Sequence, residues 1–134
     1  MKYVVIDTNC LLRMIPIRSP FRQVWEAFLS GEYCMCVSNE IIDEYMEILS
    51  QKVNMQFAEN IVRAILESPY CLRFEPHFHF RLIQQDLDDN KFVDCAIIAN
   101  ADYIVSDDSH FRVLASIPYP HVQVVSLDQF SKDI

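Results

Sequence analysis

Tyr3-Val4-Val5-Ile6-Asp7-Thr8-Asn9 is a short apolar run that ends in a carboxylate. Residues 2–6 read as a buried strand, because the run is brief and β-branched. A second run, Tyr103-Ile104-Val105, is closely followed by Asp108. In an open α/β sheet, groups beyond the carboxyl ends of parallel strands converge on one crevice. Two more acids, Glu44 and Asp94, fall on expected helices that flank such strands. Several carboxylates in one crevice repel each other unless a cation joins them. The pattern therefore points to a divalent metal before it points to any substrate.

Between the two runs, strands alternate with helices. A helix is expected from about Ser19, with Pro20 suited to its first turn, to Leu29 or Ser30, and Gly31 stops it. Residues 33–37 read as a strand. Ser38 caps the next helix, whose apolar stripe is Ile42, Tyr45, Met46 and Leu49. Asn54 caps another, carrying Phe57, Ile61, Ala64, Ile65 and Leu66 and ending before Pro69. Residues 70–74 form a third strand, and 75–90 a loop whose Asp86, Asp88, Asp89 and Asn90 lead into a helix start. Lys91 to Ala101 is nearly all apolar and reads as a buried helix. Strand 103–105, a short helix near 109–115, strand 122–125 and a last helix opened by Ser126 or Asp128 complete the chain. The alternation predicts a three-layer α/β/α domain over residues 1–134 with a mostly parallel central sheet.

Composition narrows the chemistry. The chain has 134 residues, 51% of them hydrophobic, enough for a real core in one domain. Gly31 is its only glycine, which excludes a glycine-rich phosphate loop. The net charge of −8 argues against a broad grip on a polyanion. It leaves a nuclease open, since an acidic site attracts phosphate once cations bind. There are five cysteines, an odd number, and no apolar run near the roughly 18 residues of a membrane span. No secretory signal is visible, so a cytoplasmic protein with reduced thiols is expected.

Each acid has a plainer reading. On a helix, Asp94 would have Ile97, Ile98 and Ala101 as neighbours. An ionised carboxylate there needs a partner, so a metal ligand explains it better than a favourable helix dipole does. Glu44 shares its helix with Glu40, Asp43 and Glu47, normally a solvated face. At about 100° per residue, Glu44 falls nearest the apolar stripe, beside Ile41 and Ile48. Asp7 and Asp108 could be helix caps. Asp86, Asp88 and Asp89 read as a capping or solvated loop, with Asp89 the one that could reach the site. His77-x-His79 is not a zinc site by itself, and Cys34-x-Cys36 reads as half-buried strand residues. No serine lies in a nucleophile-elbow context.

These residues resemble those of PIN-domain nucleases, of the kind found as toxins in bacterial toxin–antitoxin pairs. Val4-Val5-Ile6-Asp7-Thr8-Asn9 resembles the first-strand motif, and Ser38 through Leu49 the segment bearing the family's glutamate, which falls on Glu44. Asp88-Asp89-Asn90-Lys91-Phe92-Val93-Asp94 resembles the third motif, placing its acid on Asp94. Ala101 through Asp108 resembles the fourth, with the acid on Asp108 and the hydroxyl on Ser106. Asp107 departs from the pattern and could replace Asp108.

The resemblance implies hydrolysis of RNA phosphodiesters with one or two Mg²⁺ or Mn²⁺ ions. It makes Asp7, Glu44, Asp94 and Asp108 the catalytic and metal-holding set. Thr8, Asn9 and Ser106 would orient it, with Asp89 at its margin. Arg13, Arg18, Arg22, Lys91 and Arg112 are candidate contacts to the RNA backbone. An antitoxin and a second copy of the chain are the implied partners, with no membrane. The rival readings are a PIN-like module that binds RNA or a protein without cutting, and a phospho-receiver-like domain.

Overall fold

The computed structural model describes residues 1–84 and 87–134. Five strands form one sheet: β1 (Lys2–Ile6), β2 (Tyr33–Val37), β3 (Cys71–Arg73), β4 (Tyr103–Val105) and β5 (Val124–Val125). Their order is β3-β2-β1-β4-β5, and every pairing is parallel. The helices are α1 (Thr8–Met14), α2 (Arg22–Leu29), α3 (Asn39–Lys52), α4 (Met55–Glu67), α5 (Asn90–Ala99) and α6 (Leu127–Asp133). They flank the sheet in the three-layer α/β/α arrangement.

The chain leaves β1 toward β2 on one side and later returns to place β4 on the other. The switch point of the sheet therefore lies between β1 and β4, where a crevice opens beyond the strand ends. This order also rules out the receiver-like reading, because receivers have the flavodoxin-like order 2-1-3-4-5.

The expected caps form. Ser38 Oγ accepts from Ile41 N at 3.3 Å, Asn54 Oδ1 from Phe57 N at 2.8 Å, and Ser126 Oγ from Gln129 N at 3.0 Å. Helix α1 was not expected. It has seven residues, no acid in its first turn and no side-chain cap bond from Asp7, so the cap-type residue Asp7 is the one start signal in its sequence. Helix α2 begins at Arg22 rather than near Ser19, because Ser19 Oγ accepts from Phe21 N at 3.0 Å and holds a local turn. The buried stripe of α3 is Ile41, Tyr45 and Leu49, with Ile42 and Met46 only partly covered. In α4 it is Ala58, Val62 and Ile65, while Leu66 faces solvent. The short helix after β4 is a 3-10 helix over Ser109–Ser116.

Two contacts fix the frame around the crevice. The Tyr45 hydroxyl, fully buried, donates to the Ile6 carbonyl, which ties α3 to the end of β1. Phe130 of α6 packs edge-on against Tyr33 at 5.0 Å and Tyr103 at 6.1 Å, which closes the chain's end over β2 and β4.

Gly31 ends α2 with φ +83°, and a Cβ there would lie 2.4 Å from the Tyr70 ring. Gly31→Ala therefore meets both backbone strain and a clash. It is expected to lower unfolding free energy by about 2–4 kcal/mol, read from urea denaturation. A change below about 0.5 kcal/mol would contradict this account of the turn.

Candidate active site

The crevice is built first from backbone. Asp7 N donates to the Val105 carbonyl at 3.0 Å, continuing the β1–β4 pairing by one residue. That register sets Asp7 beside Ser106. Ser106 Oγ then donates to Asp7 Oδ2 at 2.8 Å and accepts from Asp108 N at 3.0 Å. One buried hydroxyl thus orients the acid at the end of β1 and the loop carrying the acid after β4. Asp108 Oδ1 caps the 3-10 helix, accepting from His110 N at 2.9 Å.

Glu44 reaches the same place from α3. Its two oxygens are held separately: the Thr8 hydroxyl donates to Oε2, and Lys91 Nζ lies 2.6 Å from Oε1. Asp89, the residue before α5, lies with its Oδ2 3.1 Å from His110 Nδ1. His110 Nδ1 is also 3.6 Å from Asp108 Oδ1.

Electrostatics tie these groups together. The Asp7 carboxyl is raised to about 6, mainly by burial and further by the charges of Asp89, Asp108 and Glu44, against the lowering effect of the Ser106 hydrogen bond. Four carboxylates therefore share one neighbourhood: Asp7, Glu44, Asp89 and Asp108.

Asp94 makes its contacts elsewhere. It is buried, accepts from Phe80 N at 3.1 Å, and lies 3.2 Å from His79 Nδ1. It lines a groove with Glu40, Arg81, Asp88 and Lys91, the last of which pairs with Glu44. The reason is helical geometry. Five residues carry Asp94 about 140° around the axis and about 7.5 Å along it from Asp89. Its burial also has a different origin from the one expected, because Ile98 is exposed and Ile97 only partly covered. The covering comes from the segment around His79 and Phe80.

A family model described as PIN domain matches residues 3–110. The chain belongs to the PIN domain family. Two solved structures share the fold. One is VapBC2 from Rickettsia felis bound to a DNA fragment from its promoter, with TM-score 0.62 and 13% identity over 92% of this chain and 98% of that one. The other is the PIN domain endonuclease Utp24, with TM-score 0.54 and 14% identity over 92% of this chain and 84% of that one. No curated protein matches the sequence.

The other expected site residues of this PIN domain divide by their contacts. Asn9 is exposed and lines a cleft with Asp7, Cys10, Arg13, Asp107 and Asp108. Asp107 turns toward α1 and α6: Arg13 pairs with its Oδ2, and Leu127 N donates to its Oδ1 at 3.2 Å. Asp108 is thus the acid that joins Asp89 and His110. Asp107→Ala is expected to cost about 1 kcal/mol, since an exposed ion pair contributes little and one hydrogen bond is lost. Cleavage of RNA, if present, should stay within about threefold; a hundredfold loss with the fold intact would restore Asp107 as a site acid.

Arg13 also stacks on Phe21 at 4.8 Å, Arg22 donates to the Ile15 carbonyl, and Lys91 is paired with Glu44. Arg18 and Arg112 are exposed. Arg112 lines a groove of about 480 Å³ together with Asp107 and with Ser106 and Asp108 of the site. Asp86 lies outside the described residues.

Cys34 and Cys36 are both buried in β2, and burial pushes the Cys36 thiol up to about 12, which does not suit a redox pair. All five cysteines are free. Among the described residues, no helix is long and apolar enough to cross a membrane.

The donor set suits a divalent cation. Oxygens of Asp89 and Asp108 and a ring nitrogen of His110 lie within 4.8 Å of one another. Asp7 stands beside them as a buried acid whose charge is disfavoured without a counter-ion. Sequence reasoning placed Asp89 only at the margin and missed His110. Nothing local marks His110, and it enters the site through the turn that Asp108 caps.

Proposed function

We propose that this PIN domain is a metal-dependent endoribonuclease, the toxin of a toxin–antitoxin pair. The observation that carries the reading is the convergence of Asp7, Glu44, Asp89 and Asp108 at the sheet's switch point, where burial, and after it the charges of the other three acids, raises Asp7 to about 6. Structural caps alone would not gather four acids from β1, α3, the start of α5 and the end of β4.

Asp7, Asp89 and Asp108 are the residues that would hold one or two Mg²⁺ or Mn²⁺ ions, with Glu44 completing the set. A cation there would lower the pKa of a nearby water and offset charge on the phosphodiester. The protein's own part is orientation. Ser106 fixes the Asp7 carboxylate, while Thr8 and Lys91 fix that of Glu44. Holding these groups in place before substrate arrives removes reorganisation from the reaction itself. Exposed Arg18 and Arg112 are the cations best free to meet the RNA backbone, since Arg13, Arg22 and Lys91 hold the fold and the site.

The toxin assignment draws on the resemblance and on the fold shared with VapBC2. An antitoxin with a basic segment would complement a net charge of −8. A homodimer follows from the same resemblance. A PIN-like module that binds without cutting has the same fold, so the assay must read cleavage. Purified protein is expected to cut single-stranded RNA with Mg²⁺ or Mn²⁺, and to stop with excess chelator or after Asp108→Asn. Cutting that survives both would leave the reading without its basis.

A further inference from the structure

We propose that His110 supplies a nitrogen ligand to the cation site, so that the site selects Mn²⁺ over Mg²⁺. This rests on the reading that the acids hold a divalent cation, and it adds which cation and why. His110 Nδ1 stands 3.1 Å from Asp89 Oδ2 and 3.6 Å from Asp108 Oδ1. Two ligand atoms each about 2.2 Å from one ion, at right angles, are about 3.1 Å apart. The two spacings from His110 match neighbouring corners around a single ion, and the ligand atoms of Asp89, Asp108 and His110 all lie within 4.8 Å of one another.

The backbone holds the ring there. His110 N donates to Asp108 Oδ1 at 2.9 Å, in the first turn of the 3-10 helix. The same residue therefore offers its amide to one acid and its imidazole to two. Its side chain is 39% exposed, so part of it faces solvent.

The chemistry follows from the donor. Mg²⁺ takes oxygen ligands and dehydrates reluctantly. Imidazole suits first-row transition ions, and carboxylates accept Mn²⁺ and Mg²⁺ alike. An all-carboxylate site would discriminate weakly between the two. Replacing one oxygen corner with Nδ1 favours Mn²⁺.

The test uses the full chain freed of metal with chelator, and Mn²⁺ itself as the probe. Pulsed electron paramagnetic resonance on bound Mn²⁺ is expected to show coupling to a histidine nitrogen, absent in His110→Asp. Calorimetry is expected to show the Mn²⁺-over-Mg²⁺ affinity ratio falling about tenfold or more in His110→Asp, with Mn²⁺ still bound through the new carboxylate. If Mn²⁺ binds the wild type, is lost in Asp108→Asn, and shows neither nitrogen coupling nor a changed ratio, the His110 inference is overturned and the cation site stands. If millimolar Mn²⁺ does not bind the wild type, the site reading itself fails.

Discussion

Asp89→Asn is expected to lower RNA cleavage by about a hundredfold or more, whereas Asp94→Asn should leave it within about tenfold of wild type. The two acids are five positions apart and differ in what they face. Asp89 stands by His110 and acts on Asp7 through its charge. Asp94 anchors the Phe80 amide and the exposed His79. An asparagine at 94 keeps an acceptor for that amide and loses only the pairing with His79, a cost of about 1 kcal/mol. Initial rates under saturating Mn²⁺, paired with urea denaturation, separate the two effects. Loss of cleavage in folded Asp94→Asn, with Asp89→Asn active, would return Asp94 to the site.

Asp7→Asn should make the metal-free protein more stable at neutral pH while abolishing cleavage. Asp7 rises from 3.8 to about 6 on folding, so the folded state binds its proton more tightly than the unfolded state does. That contribution is fully present below about pH 4 and is lost as pH rises through about 6. Relative to the protonated form, ionised Asp7 then costs on the order of 3 kcal/mol, from a shift of 6 − 3.8 at about 1.4 kcal/mol per unit. An asparagine carries no such charge and can still accept from Ser106. Thermal melts in chelator from pH 4.5 to 8.5 should show the variant gaining on wild type as pH rises. Adding Mn²⁺ should stabilise wild type more than the variant, which lacks one of the acids around the cation. Parallel curves for the two proteins would mean that Asp7 is not the strained acid described.

Much of the fold was legible because its signals are local. β1, β2 and β4 are short apolar runs, and Gly31, Ser38, Asn54 and Ser126 mark helix ends by backbone chemistry. Helix α1 was not legible, because its one start signal, Asp7 at the cap position, reads equally as a site acid. Strand order belongs to the same class: only long-range pairing sets β1 between β2 and β4.

The site divides likewise. The sequence singles out Asp7, Glu44 and Asp108 from strand ends and a helix face, and the structure places them in one electrostatic neighbourhood. That Asp89 joins them was not readable. The stretch 86–94 holds four aspartates, and choosing among them requires knowing where α5 begins. A 3-10 turn over Leu87–Asp89 precedes a helix that starts at Asn90, which leaves Asp89 at the mouth of the crevice. The apolar neighbours that favoured Asp94 prove partly exposed. Its covering comes from residues 14 and 15 positions earlier in the chain, His79 and Phe80.

The central claim is that the acids at the switch point, and not those around Asp94, hold the cation. Anomalous diffraction from a crystal soaked in Mn²⁺ locates it directly. The account predicts a peak within coordination distance of Asp89, Asp108 and His110, beside Asp7. A peak at Asp94 and His79, or none at the switch point of a fully soaked crystal, would contradict it.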